Sequence, residues 1–429
     1  MKLFGTSGIR GDLSRVTPHF ALRLGEALAL FFTKRNIDTV SVGRDCRSSS
    51  PLLANALISS LNSCGINVWD LGLVPTPVLS YFSDKAGVMV TASHNPPENN
   101  GFKVFLKKKE SFTAEEDEIE GYMSGSIKKD WQRVGARRSM SPIPKYIDAA
   151  VGYGSRLFSS FERRRVVLDC GNGVGSLVSP ALLERCNCEV IVLNSTLDPS
   201  FPGRGPEPSE EMIGGLKNAV VAKKADVGFA LDGDGDRINV VDERGNVIPE
   251  DSIIALLGGF YRKREEDVVL TSLDTSFRIE EYCRNVRRLM LGKLQEGIDV
   301  YDAVFAGEPW KYIHPRWAPF IDGLVTSVVI LGLMKGKKAS ELCAQINEYP
   351  RKKYSLREKE GAIEVLRHTI VSRGDIKSID TISGIRVNFT DDSWILLRPS
   401  GTEKKVRVVI EGRNEKRLVE LENLLLTCL

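Results

Sequence analysis

Short apolar runs alternate with helical patterns along most of this chain, and that alternation restarts twice. In the first cycle, residues 18–32 (PHFALRLGEALALFF) carry apolar side chains at helical spacing and residues 38–43 (DTVSVG) read as a short buried strand. Residues 51–64 are helical again, with strands at 67–71 and 86–90 (AGVMV). A second cycle places strands at 165–169, 189–193 and 227–231, with helices at 179–185 and 211–223. A third runs from 251 to about 348, with 268–271 and 303–305 as strands. Strands that take turns with helices are expected to form largely parallel sheets covered by those helices. After residue 350 the texture changes to a helix at 362–371, strand-like runs at 384–389, 393–398 and 405–410, and a closing helix at 414–426. The expectation is an α/β chain: three tandem α/β domains (1–147, 148–248, 249–348) and a C-terminal α+β domain (349–429). The charged stretch 128–144 is expected to be a boundary region.

Composition excludes several function classes. With 59 Lys and Arg against 56 Asp and Glu, the net charge of +3 gives no field that would draw nucleic acid or a membrane. The basic runs 107–109 and 163–165 lack interleaved aromatics and read as solvated faces. Eight scattered cysteines form no C-x-x-C, which fits a reduced, cytoplasmic chain. The start, MKLFG, has no apolar signal region, and no run approaches the ~20 apolar residues of a spanning helix.

Chemistry concentrates in three loops. The run Asp232-Gly233-Asp234-Gly235-Asp236-Arg237 follows the apolar run 227–231. Carboxylates at i, i+2 and i+4, separated by glycines, can curl around one hard cation. An EF-hand calcium loop is the rival, since Glu243 falls at position 12, but position 6 needs Gly and holds Arg237. A plain acidic turn is a second rival. The run Thr91-Ala92-Ser93-His94-Asn95-Pro96 sits at the C-terminal end of the strand 86–90, where ligands gather in α/β sheets. Ser93 reads either as a turn cap or as a phosphoryl carrier. A hydrolase nucleophile is disfavoured, because no G-x-S-x-G elbow surrounds it and the chain holds four histidines. The run Arg398-Pro399-Ser400-Gly401-Thr402-Glu403, with Arg407 beyond it, reads as an anion-binding loop or an ordinary turn. The run 169–175 (DCGNGVG) follows a strand but has G-x-G-x-G spacing in place of the dinucleotide fingerprint.

Taken in order, 4–11 (FGTSGIRG), Gly43-Arg44-Asp45, 91–96 with Asn100-Gly101-Phe102-Lys103, 232–237, Gly307-Glu308 and 398–407 resemble the α-D-phosphohexomutase superfamily along essentially the whole chain. Residues 201–208 (FPGRGPEP) and 91–100 (TASHNPPENN) are similar to its archaeal phosphoglucosamine mutase-like branch. The resemblance implies four domains around a central cleft, the first three sharing one mixed-sheet topology, and a phosphoserine at Ser93. It implies Mg2+ held by Asp232, Asp234, Asp236 and the seryl phosphate, and a hexose 1,6-bisphosphate intermediate. Lys103 and Arg10 become candidates for proton transfer and charge stabilisation, with His94, Asn95 and Arg237 lining the same centre. Glu308 would read sugar hydroxyls, and Arg398, Ser400, Gly401, Thr402 and Arg407 would grip the phosphate that is not reacting. Lys293 is a further candidate for a phosphate or sugar contact.

The implied activity is an isomerase, interconverting glucosamine 6-phosphate and glucosamine 1-phosphate, with phosphomannomutase or phosphoglucomutase activity as the alternative. The expected partners are hexose phosphates, and the expected state is a monomer or homodimer. A calcium-binding structural protein and a catalytically retired mutase fold are the alternatives outside that activity. One departure stands out: the sugar loop reads Gly307-Glu308-Pro309-Trp310-Lys311-Tyr312-Ile313-His314, with Trp310 and Lys311 where small residues are usual.

Overall fold

The computed structural model describes residues 2–5, 7–125, 127, 129–357, 365, 369, 374–399 and 405–426. The expected helix at 362–371 falls almost wholly outside the described residues, as do Ser400, Gly401 and Thr402. The chain divides into two compact units, Met1–Glu250 with Trp310–Leu342, and Asp251–Pro309 with Cys343–Leu429. Its architecture is three α/β domains with mixed sheets and a C-terminal domain built on an antiparallel sheet.

In the first unit, one sheet has the order Ile9–Gly11, Asn100–Leu106, Ala86–Val90, Thr39–Arg44, Asn67–Leu73, Arg137–Ser139. The last four strands are parallel, and the other two run antiparallel to their neighbours. Ala86–Val90 lies inside the sheet and every residue of it is buried, as its unbroken apolar run requires. Helices Pro18–Thr33 and Ser50–Ser63 pack on this sheet through Leu24, Leu28, Phe31, Leu53, Leu57 and Leu61. Each such side chain contributes about 1.5–3 kcal/mol by leaving water. Thr17 starts the first helix by accepting a hydrogen bond from the Phe20 amide at 2.9 Å.

The expected boundary stretch is partly structure: Arg137–Ser139 adds an edge strand beside Asn67–Leu73, and helix Ile143–Leu157 follows. A second sheet in this unit runs Ile238–Asp242, Val227–Leu231, Arg164–Asp169, Cys188–Leu193, antiparallel at its first pair and parallel after it.

In the second unit, Val269–Ser272 pairs in parallel with both Val286–Leu289 and Phe305–Glu308. The C-terminal sheet is antiparallel throughout and packs one face on helix Glu415–Leu426. Along Trp394–Pro399 the side chains alternate: Ile395 and Leu397 join that helical core, while Trp394 and Leu396 pack with Leu273. Two of its strands, Arg351–Arg357 and Ile376–Asp380, were not expected from the sequence. Among the described residues no helix is long and apolar enough to cross a membrane.

Candidate active site

Ser93 lies in the loop leaving Ala86–Val90, is 1% exposed, and has φ +53. A side-chain-bearing residue in that left-handed region costs about 1–2 kcal/mol, so the loop needs external restraint. Arg47 supplies it. Its buried guanidinium donates to the carbonyls of Ser93 and Asn95 (both 2.7 Å), Pro96 (2.5 Å) and Asn99 (2.8 Å), and to Asp45 Oδ2 at 3.0 Å. Asp45 also accepts from the Thr91 hydroxyl at 2.7 Å, and Thr91 Oγ1 in turn accepts the Ser93 amide at 2.8 Å. Burial pushes the Asp45 carboxyl up, and the charge of Arg47 opposes that push. The Gly43-Arg44-Asp45 motif is thereby explained through its Asp, while Arg47, two residues on, was missed by the sequence reading.

The three aspartates occupy the turn between Val227–Leu231 and Ile238–Asp242. All are buried, and one oxygen from each lies within 4.8 Å of the others. Lys103 reaches in from strand Asn100–Leu106, with Nζ 2.9 Å from Asp234 Oδ2 and 2.6 Å from Asp236 Oδ2. Burial disfavours that ammonium, but the charges of Asp234 and Asp236 outweigh it and raise the group above its ordinary value. Burial and the other two carboxylates hold Asp232 well above the usual carboxylate range.

Among the described residues, Asp234 Oδ1 and Asp236 Oδ1 are buried without a hydrogen-bond partner. Two orphaned carboxylate oxygens in a buried acidic cluster suit a hard divalent cation, which is the donor set Mg2+ takes.

Ser93 Oγ donates to Asp232 Oδ2 at 2.7 Å, which joins the serine loop to the aspartate loop. His94 spans the same centre, with Nδ1 3.3 Å from Ser93 Oγ and Nε2 3.3 Å from Arg237 Nη2. Guanidinium can only donate, so Nε2 accepts and the neutral ring carries its proton on Nδ1, facing the serine. Burial, followed by the charges of Arg237, Arg10 and Lys311, lowers the imidazole well below its ordinary value and keeps it neutral. His94 is therefore a donor to Ser93, and Asp232 is the acceptor of the serine proton. Arg10 reaches Asn95 Oδ1 at 3.1 Å from strand Ile9–Gly11, whose register sets it opposite Gly101. The Arg237 amide donates to Asp232 Oδ1 at 3.1 Å. Ser93, His94, Asn95, Arg10, Lys103, Arg237 and the three aspartates thus meet in one place.

The DCGNGVG run is a brace for this loop. The Val174 amide donates to the Gly233 carbonyl at 3.2 Å, and a Cβ on Gly173 would meet that same oxygen at 2.5 Å. The calcium-loop alternative is excluded by geometry: strands flank the aspartates, and both oxygens of Glu243 accept from Ser340, at 3.0 Å from its amide and 2.6 Å from its hydroxyl.

In the second unit, Glu308 ends strand Phe305–Glu308, is buried, and accepts the Gly292 amide at 2.8 Å. Arg398 and Arg407 stand opposite each other on neighbouring strands. Burial lowers the Arg398 guanidinium; Arg407 adds to this, while Asp274 and Glu308 oppose it. Asp274 is thus a charged neighbour of Arg398 that no motif announced. Lys293 precedes helix Leu294–Tyr301 and pairs with Glu296 at 2.8 Å.

Models of the phosphoglucomutase/phosphomannomutase family match three segments: α/β/α domain I at residues 1–129, α/β/α domain II at 144–245, and the C-terminal domain at 349–426. The chain is 42% identical to a phosphopentomutase of Thermococcus kodakarensis, covering 98% of this chain and 96% of that one. It is 38% identical to a "Probable phosphoglucosamine mutase" of Methanobrevibacter smithii, covering 97% and 96%. A crystal structure of a phosphoglucomutase/phosphomannomutase family protein from Burkholderia thailandensis superposes with TM-score 0.90 at 25% identity, covering 100% and 96%. The N-acetylphosphoglucosamine mutase of Aspergillus fumigatus, solved with GlcNAc-6P and magnesium, shares the fold at TM-score 0.66 and 14% identity, covering 99% and 95%. The chain belongs to the α-D-phosphohexomutase family of phosphosugar mutases.

Proposed function

We propose that this chain moves a phosphoryl group between two oxygens of one sugar phosphate by way of Ser93. The observation that carries the reading is Ser93 Oγ, bonded to Asp232 and set against a buried three-carboxylate cluster with two orphaned oxygens. The phosphoseryl P–O bond breaks as a sugar hydroxyl takes the phosphoryl group, and the hydroxyl proton ends on Ser93 Oγ. The other sugar P–O bond of the bisphosphate then breaks as Ser93 Oγ takes that phosphoryl group, and the seryl proton passes to the released sugar oxygen, which leaves the isomer and restores the enzyme.

In this reading Asp232, Asp234 and Asp236 hold Mg2+. When bound, that ion supplies positive charge to the phosphoryl oxygens. Lys103 stays an ammonium and stabilises charge, as do Arg10 and Arg237, while His94 donates to Ser93 Oγ from Nδ1. Glu308 reads sugar hydroxyls, and Arg398 and Arg407, together with Ser400, Gly401 and Thr402, hold the phosphate that is not reacting.

For the sugar, a pentose phosphate is favoured. Lys311 stands, buried, at the departure from the usual sugar loop, where a side chain of its bulk and chemistry reshapes the pocket. The phosphopentomutase at 42% identity supports the same choice. The amino-sugar reading expected from the sequence keeps its own support in relatives at 35–38% identity named as probable phosphoglucosamine mutases.

Competition among ribose, glucosamine, glucose and mannose phosphates decides between them. The expected order of kcat/KM puts the pentose phosphate first, by about 10-fold or more over glucosamine phosphate, since discrimination by an unpaired group exceeds that by shape alone. Glucosamine phosphate in first place would return the assignment to the amino sugar and leave the Ser93 relay untouched.

A further inference from the structure

We infer that Thr76 is a positioning residue for the metal site, fixing the carboxylate of Asp234 so that Oδ1 faces the cation; this rests on reading Asp234 as a ligand. Thr76 opens the short helix Thr76–Tyr81, which packs on strands Thr39–Arg44 and Ala86–Val90, and is 3% exposed. Its hydroxyl donates to Asp234 Oδ2 at 2.6 Å, and its amide donates to the Asp234 carbonyl at 2.9 Å. Lys103 Nζ adds a second bond to the same Oδ2 at 2.9 Å. Oδ2 is therefore held from two sides, while Oδ1, equally buried, has no partner among the described residues.

The two donors are not equivalent. Lys103 ends a long flexible chain and divides its ammonium between Asp234 and Asp236, the latter at 2.6 Å. Thr76 has one stiff β-branched rotor and is anchored by its own amide to the same aspartate. Rotation of the Asp234 carboxylate would exchange its two oxygens, and the Thr76 hydroxyl is the restraint that stops it. Groups that orient a ligand in this way typically set metal affinity as strongly as they set activity. The preceding Pro75 abuts the same loop, with its ring 3.3 Å from where a Cβ on Gly235 would lie. The bland reading is a threonine that only fills space at a helix start, and it makes the opposite prediction.

The test is a Mn2+ titration of the dephosphorylated full chain, with free Mn2+ followed by electron paramagnetic resonance. Thr76→Val keeps the shape and removes the hydroxyl, and should weaken Mn2+ binding about 10–100-fold, while Thr76→Ser should stay within about threefold of the parent. The Michaelis constant for sugar phosphate at saturating metal should not change. Thr76→Ala carries the same expectation as Thr76→Val and replaces it if thermal unfolding shows the valine variant misfolded. Parental Mn2+ affinity in the hydroxyl-free variant, or an equal loss in Thr76→Ser, would overturn the inference. A separate control guards the underlying reading: if Asp232→Asn binds Mn2+ as well as the parent, the aspartates are not the ligands.

Discussion

Ser93→Ala should abolish mutase turnover, with a loss of at least about 10⁴-fold in kcat, because no other group can carry the phosphoryl between the two ends of the sugar. The neighbours of Ser93 do not offer a substitute. His94 presents a proton on Nδ1, Asp232 accepts one, and Arg237 only donates. The fold should survive. The side chain lost is one hydroxyl, and the loop geometry is imposed by Arg47 through four backbone carbonyls that the substitution leaves in place. One lost hydrogen bond costs about 1 kcal/mol, so thermal unfolding should shift by a few degrees at most. Steady-state kinetics alongside a melting curve checks both halves. Near-parental turnover in a folded variant would remove Ser93 from the mechanism.

Asp234→Asn should have the second-largest effect, and it should act in two places. It removes one charge from the buried triplet, so Mg2+ affinity and the rate at fixed Mg2+ should each fall by about two orders of magnitude or more. It also takes a carboxylate from Lys103, whose ammonium then keeps Asp236 alone at 2.6 Å. Breaking one arm of a buried ion pair costs up to about 3–5 kcal/mol, so the melting temperature should fall as well. Titrating metal well below that melting temperature separates the two effects. A folded variant with parental metal dependence would reduce the triplet to an acidic turn.

What could be read from the sequence was whatever lies close together along the chain. The Asp232–Arg237 loop and the Ser93–Asn95 loop are each a few consecutive residues, and each follows an apolar strand, so spacing and position sufficed. The hydrogen bonds that assemble these loops were hidden for the same reason. Thr76 meets Asp234 across 158 positions and Arg47 meets Ser93 across 46, and neither residue type signals a partner that far away.

Three of the overlooked strands share a physical cause. Arg137–Ser139, Arg351–Arg357 and Ile376–Asp380 all lie at sheet edges and read RRS, RKKYSLR and IKSID. Charged edge strands resist pairing with other chains, and the same charges break the apolar alternation by which a strand is recognised. The departure at Trp310 and Lys311 was visible as a departure, but only the structure shows Lys311 buried in strand Lys311–His314.

The central claim is that Ser93 carries the phosphoryl group during turnover, and intact-mass spectrometry tests it most directly. The purified chain is dephosphorylated, exposed to a sugar bisphosphate with Mg2+, and sampled before and after addition of the matching monophosphate. The account predicts the gain of one phosphoryl group, located by peptide mapping on Ser93, and its discharge to the sugar at least as fast as steady-state turnover. A chain that turns over substrate with no phosphate on Ser93, or with phosphate that leaves more slowly than turnover, would contradict it.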